Sequence, residues 1–177
     1  MFYEKNITWT TSTAYHLIGC SFLLKGKDTY KGQQSSVSLS DGLNVTSTLT
    51  YTLPDQFGTS HTLDDSIQTL ILVFAKDTGH TVKAYLGMQS ADYLTTHHAA
   101  FVADISPMPL IIRNTFALPD LKTQPYSVNL ILDEAIAKSF KQGAKVDAIN
   151  IVTLNNKQVQ KIQYIENAQA LKEIIEQ

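Results

Sequence analysis

Thr69-Leu70-Ile71-Leu72-Val73-Phe74-Ala75 is an unbroken apolar run rich in branched side chains, and it constrains the fold more than any other stretch. Successive strand residues point to opposite faces, so a strand that is apolar throughout must be covered on both. Such cover comes from helical crossovers laid over a parallel sheet. The chain supplies the parts. Phe101 to Ile105 is a second short apolar strand, Tyr126 to Leu132 a third and Ala148 to Leu154 a fourth. After the first, Asp77 or Thr78 is placed to cap a helix whose inward stripe is Val82, Tyr85 and Leu86, reaching Tyr93 and Leu94, with Gly87 weakening its middle. Ser106-Pro107-Met108-Pro109 starts a helix through Ile111, Ile112 and Phe116 that Pro119 stops, and Ala135 to Phe140 reads as a short helix or turn.

The two ends of the chain read differently. Asn155-Asn156 turns the fourth strand into Lys157 to Ile165, an antiparallel hairpin, and Asn167 caps a final helix carrying Ala170, Leu171, Ile174 and Ile175 on one face. Near the start, Asp41-Gly42 between Val37–Ser40 and Leu43–Thr46 gives a two-residue hairpin signal, and Pro54 to Gly58 turns Thr48–Leu53 into Ser60–Leu63. Residues 1 to 34 show no sustained period and are read as an appendage, with an optional strand through Tyr15 to Leu24. The domain proper is expected over residues 35 to 177, and removal of the appendage is expected to leave it folded.

A chain of 177 residues suits a single core, since one core usually serves about 100 to 200 residues. Hydrophobic residues make up 44% and the formal charge is −2, so no strong field demands a charged partner. Arg113 is the only arginine and no basic run interleaves with aromatics, which argues against nucleic acid. No apolar stretch approaches the roughly 18 residues of a membrane-spanning helix. Met1 to Thr13 carry Glu4, Lys5, Asn6 and many hydroxyls where a secretory signal has a basic start and an apolar core, so no export signal is expected. Cys20 is the only cysteine, which excludes an intramolecular disulfide and a two-thiol cycle. Leu17-Ile18-Gly19-Cys20-Ser21 matches a lipoprotein cleavage pattern but lacks the preceding apolar run, and a plain thiol is the simpler reading.

Strands alternating with helices and closed by a hairpin imply a mixed α/β sheet with an antiparallel far edge. The turn Leu53-Pro54-Asp55-Gln56-Phe57-Gly58, the buried strand Leu70 to Phe74 running into a helix, and the last strand, hairpin and helix together resemble the thioredoxin and peroxiredoxin superfamily. Within it the chain is similar to a group of small exported bacterial proteins of unknown role. The shared stretches are Leu72 to Ala75, Phe101 to Pro109, Phe116-Ala117-Leu118-Pro119, and Tyr126 through Leu132-Asp133. The resemblance covers about Gly42 to Gln177 and implies a three-layer α/β/α domain with a central mixed sheet and an N-terminal β-hairpin. It also implies a periplasmic setting, from which residues 1 to 34 depart because the group carries a signal peptide there. Members are sometimes labelled flavin-containing dehydrogenases. No cofactor is expected here, because a dinucleotide site needs closely spaced glycines and none of the eight is two residues from another.

In redox-active relatives the reactive cysteine stands where the buried strand meets its helix, and the dipole and free amides there stabilise a thiolate. The matching residues, Lys76 to Val82, contain no cysteine, and Val146-Asp147-Ala148 occupies the place of the relatives' cis-proline. No catalytic residue and no metal ligand is expected. His97-His98 with Asp92, His80 or His61 lacks metal-ligand spacing, and Asp64-Asp65 and Asp133-Glu134 read as turn residues. The candidate ligand-binding residues are Asp77, Thr78 and His80 at the helix start and Met108 and Pro109 at the proline corner. A non-catalytic module for a protein partner is the favoured function. The alternatives are a small-ligand binder or enzyme using Asp77 to His80, and a flavin or nicotinamide oxidoreductase.

Overall fold

The apolar run takes the place its composition demands. In a computed structural model that describes Tyr30 and residues 34–177, it forms the central strand of a five-stranded sheet. The elements are, in order, β1 (Ser36–Leu39), β2 (Leu49–Pro54), β3 (Ser60–Thr62), β4 (Thr69–Val73), α1 (Lys76–Leu86), α2 (Tyr93–Thr96), β5 (Ala99–Asp104), α3 (Leu110–Ile112), α4 (Leu118–Leu121), β6 (Asn129–Ile131), α5 (Glu134–Lys141), β7 (Ile149–Asn155), β8 (Gln158–Ile165) and α6 (Ala168–Ile175). The large sheet runs β6-β5-β4-β7-β8, with β6, β5 and β4 parallel and β7 and β8 antiparallel. β1, β2 and β3 make a separate antiparallel sheet.

Alternation along β4 divides the interior in two. Ile71 and Val73 face α1 and α6, where Val82, Tyr85, Leu86, Leu171 and Ile175 pack on them together with Phe101 and Ile151. Leu70, Leu72 and Phe74 face the small sheet and α5, against Leu49, Tyr51, Leu53, Ala137 and Phe140. The closing elements behave as expected. Asn156 and Lys157 both have positive φ, +46° and +66°, as a two-residue hairpin matched to strand twist requires. Asn167 caps α6 by accepting from the Ala170 amide.

Several local expectations are corrected. α1 is capped at Ala75, which has no side chain for the task, because the chain is already helical at Lys76; the Thr78 hydroxyl instead donates to the Ala75 carbonyl at 2.9 Å. Gly87 lies at the end of α1, and Tyr93 and Leu94 belong to the separate α2. The first hairpin closes differently as well: β1 pairs with β2, and residues 43–46 lie in the intervening loop. Pro119 does not stop its helix. It lacks an N–H and its ring would press on the carbonyl four residues back, but the backbone widens into a π-helical turn over Arg113–Ala117, where the Leu118 amide reaches the Arg113 carbonyl. The third strand shortens to Asn129–Ile131.

Two glycines let the small sheet's loop cross α5's exit. The Leu43 amide donates to the Gln142 carbonyl at 2.6 Å, and a Cβ on Gly42 would stand 2.6 Å from that same oxygen. A Cβ on Gly143 would collide with the Leu43 carbonyl. Both glycines have positive φ, so side chains are disfavoured there twice over. Another tether comes from Gln56, fully buried, whose amide nitrogen donates to the Tyr126 carbonyl at 2.7 Å and whose oxygen accepts from the Val128 amide at 2.8 Å. Tyr30 is buried with the α1 side of the core and its hydroxyl donates to the Asp55 carbonyl at 3.0 Å. The remainder of the expected appendage, with Cys20 and the strand through Tyr15 to Leu24, lies outside the described residues.

Leu72→Ala empties a fully buried site against the small sheet and should lower stability by roughly 2 to 5 kcal/mol in chemical denaturation; a loss under about 1 kcal/mol would show that this face is open. Tyr30→Ala should cost about 3 kcal/mol by the same reasoning, with Tyr30→Phe isolating the smaller share of the hydroxyl.

Candidate functional site

Parallel strands end at a common edge, and the loops leaving that edge are where α/β sheets place ligands. Here the exits are Phe74-Ala75 into α1, Ile105 to Pro109 into α3, and Leu132-Asp133 into α5. Because β7 runs antiparallel with Asn150 opposite Leu72, the loop before β7 arrives at the same edge.

At the start of α1, Asp77 and His80 are exposed and Thr78 is buried. Among the described residues no side-chain bond joins Asp77 to His80; the Asp77 carbonyl receives the Thr81 hydroxyl at 3.1 Å. Met108 packs partly buried against the core, and Pro109 stands at the start of α3 with an extended backbone, φ −53° and ψ 139°. The sequence-derived candidates thus occupy two neighbouring exits of one edge.

Between the proline corner and α5 lies a group that sequence reasoning missed. Asp104 ends β5 with its side chain wholly buried, and its Oδ1 accepts from the Ser106 amide at 2.9 Å and hydroxyl at 2.6 Å. Its Oδ2 is ion-paired to Lys141 Nζ at 2.6 Å, and that ammonium stands 5.7 Å from the centre of the Phe74 ring, within the range of a cation–π contact. A cavity of about 240 Å³ opens beside Lys141, lined by Ser106, Pro107, Glu134, Ala137, Lys138 and Lys141. The four α5 residues follow helical spacing and present one face. Asp133 positions that helix by accepting from the Ala135 and Ile136 amides. One signal was available: Asp104 is the lone charge in an otherwise apolar strand.

The loop before β7 is held by Asn150. Its oxygen accepts from the Lys145 amide at 2.8 Å, and its nitrogen donates to the Lys145 and Ala148 carbonyls at 2.8 and 2.9 Å. The clamp shapes the loop with side-chain hydrogen bonds. It supplies neither a nucleophile nor an acid.

A Ser, His and Asp also meet at the opposite end of the sheet. His61 Nε2 lies 2.9 Å from Asp55 Oδ2 and 3.4 Å from Ser127 Oγ, and Ser127 Oγ lies 3.4 Å from the same carboxylate oxygen. A hydrolytic relay needs the imidazole to engage aspartate through one nitrogen and the hydroxyl through the other. One nitrogen faces both here, so the cluster ties the β2–β3 turn to the approach of β6. Burial alone would raise the Asp55 pKa, but the His61 hydrogen bond and the Thr59 and Phe57 amides outweigh it and hold it below the ordinary carboxylate value. His97 is spent locally, its Nδ1 facing the Tyr93 carbonyl at 2.9 Å and its ring 4.3 Å from that of Tyr93. Among the described residues no three His, Cys, Asp or Glu side chains converge as metal ligands, and no helix is long and apolar enough to cross a membrane.

No family model and no curated protein matches the sequence. Solved structures do. A Chlorobium tepidum protein assigned as a thiol:disulfide interchange protein, DsbE, aligns with a TM-score of 0.50 at 16% identity, over 80% of this chain and 94% of its own. The fold is thioredoxin-like. A protein assigned as a thioredoxin from Neisseria meningitidis gives 0.48 at 16% identity over 74% of this chain and 89% of its own. One assigned as a protein disulfide isomerase from Bacteroides thetaiotaomicron gives 0.48 at 14% identity over 80% and 88%. Identities this low speak to the fold alone.

Because the Asp55 carboxyl is held below its ordinary value of 3.8, its contribution is present above that pH and lost as the pH falls through the folded-state pKa. Asp55→Asn should therefore be less stable than the parent at neutral pH, with the difference narrowing steadily in urea titrations below about pH 4. A gap that stays constant into strong acid would mean that the carboxylate charge contributes nothing.

Proposed function

We propose that the thioredoxin-like domain is redox-inactive and serves as a non-catalytic binding module for a protein or small-molecule partner. Its working surface is the edge where β4, β5 and β6 end. One observation carries the reading: Lys76-Asp77-Thr78-Gly79-His80 fills the strand-to-helix turn, and the single cysteine of the chain, Cys20, is more than fifty residues before it in sequence. Thiol–disulfide exchange begins with a thiolate attacking a disulfide sulfur, and turnover needs a second thiol to resolve the mixed disulfide. The turn offers a dipole and amides to stabilise a thiolate and has no thiol for them to act on.

What remains at the edge suits binding. Asp77, Thr78 and His80 border it on the α1 side and Met108 and Pro109 on the α3 side, with the Asp104–Lys141 pair and its cavity between α5 and the proline corner. The stiff Pro107 to Pro109 segment and the Asn150 clamp hold the flanking loops in shape without a partner present, which limits the ordering cost on association.

Insulin-reduction and peroxide-consumption assays, each run beside Cys20→Ser, test the reading. Both proteins are expected to match the uncatalysed background. Turnover by the parent that the substitution abolishes would make Cys20 catalytic and end the non-redox interpretation.

A further inference from the structure

We propose that the cavity between α5 and Ser106-Pro107 is a site for a small aliphatic carboxylate. Lys138 and Lys141 hold its charged end, and Pro107 and Ala137 take its apolar body. The proposal rests on the binding reading above and names the ligand chemistry of one part of that edge.

Lys141 is the first reason. A lysine ammonium on a solvent-facing helix ordinarily samples many rotamers, which weakens any site built on it. Here the ammonium is held by Asp104 Oδ2 at 2.6 Å and by the Phe74 ring at 5.7 Å, while its side chain keeps 30% exposure toward the cavity. An ammonium has three donors, so contact with Asp104 leaves donors for a ligand. Asp104 is itself committed through Oδ1 to the Ser106 amide and hydroxyl. The cation is thus positioned before any ligand arrives, and binding does not have to order it.

Lys138 is the second. It lines the same cavity one turn earlier on α5, and its ammonium makes no ion pair or hydrogen bond with the described residues. Two ammonium groups on one wall repel each other, and a shared anion relieves that repulsion while accepting from both. Glu134 lines the same face one turn before Lys138, at the i,i+4 spacing of neighbouring side chains, and seven residues from Lys141, or about 10 Å at the helical rise. That carboxylate drives an anion toward the Lys141 end and, with Asp104 behind Lys141, disfavours ligands of high negative charge. Size agrees: about 240 Å³ admits a short organic acid and not a nucleotide. Pro107 and Ala137 present carbon to whatever follows the carboxylate, which gives an alkyl chain an advantage over a bare inorganic anion.

The test titrates the full chain, uniformly labelled with ¹⁵N, with butyrate, n-butylammonium and chloride at matched ionic strength, following backbone amide shifts. Butyrate should give saturable shifts confined to residues near 104–107 and 134–141, with a dissociation constant in the millimolar range, and butylammonium should give none. Lys138→Gln, at an exposed position, should weaken butyrate about ten-fold. Lys141→Gln leaves Asp104 buried without its partner, so it is read only if its melting profile matches the parent; Lys138→Gln carries the test otherwise. Equal shifts with butylammonium or chloride, non-saturating shifts, or an unchanged Lys138→Gln titration would each overturn the proposal. Turnover in the thiol assays would overturn the non-redox reading and leave a positive butyrate result standing. Silent thiol assays with no saturable butyrate shifts would overturn this proposal alone.

Discussion

The fold depends on β4 being shut away from water on both faces. Its side chains divide by alternation, and each half requires its own cover: α1 and α6 on one side, the small antiparallel sheet and α5 on the other. Neither cover is optional, because exposing either row would return several large apolar side chains to solvent at roughly 1.5 to 3 kcal/mol apiece. A central strand that needs two covers also places the exits of its parallel neighbours at one edge. The candidate site is therefore a geometric by-product of burial.

That edge contains a costly polar arrangement. Burying the Asp104 carboxylate takes it out of water, a penalty that an ion pair offsets only when its geometry is good and the remaining lone pairs are satisfied. Ser106 satisfies one oxygen twice, while Lys141 faces the other as an ion pair that leaves that oxygen without a hydrogen bond. An apolar pair of similar shape would serve stability as well, so the pair is better understood through what it positions: the ammonium of Lys141, the Ser106 turn and, through that turn, the proline corner.

Periodicity made the large sheet legible. The runs at Leu70, Phe101 and Ile149 are apolar on both faces or nearly so, and the helices facing them carry their stripes at the expected spacing. Asn167 and the Asn156 turn were readable because caps and tight turns demand particular side chains locally. What escaped depends on contacts between distant segments. The pairing of β1 with β2 in place of the tighter hairpin is decided by Leu43, which is buried against α5's side of the core instead of turning back on Leu39. The π-helical turn that carries the helix through Pro119 is an answer to a local clash that composition poses without resolving. Asp104 is the lone charge of an otherwise apolar strand and Asn150 a buried polar residue of a largely apolar one, signals visible in the sequence, but the contact of Asp104 with Lys141 and the folding of the Lys145 loop back onto Asn150 are fixed only by the folded arrangement. At the candidate site, Asp77 and His80 stand at the β4 exit, at the start of α1, whereas the buried ion pair at that edge comes from β5 and α5.

The crossing of Gly42-Leu43 over Gln142-Gly143 has a kinetic meaning. The two segments are nearly a hundred residues apart in sequence, and their carbonyls and amides meet with no room for a side chain on either glycine. Contacts of such long range are entropically costly to close early, and this one can form only after the small sheet and α5 have both docked on the large sheet. It is therefore expected to be absent from the folding transition state and present in the native state. Bonds of that kind act mainly on the rate at which the native state opens. The crossing would then work as a latch, leaving the speed of assembly to β4 and its neighbours and setting how long the assembled domain stays closed.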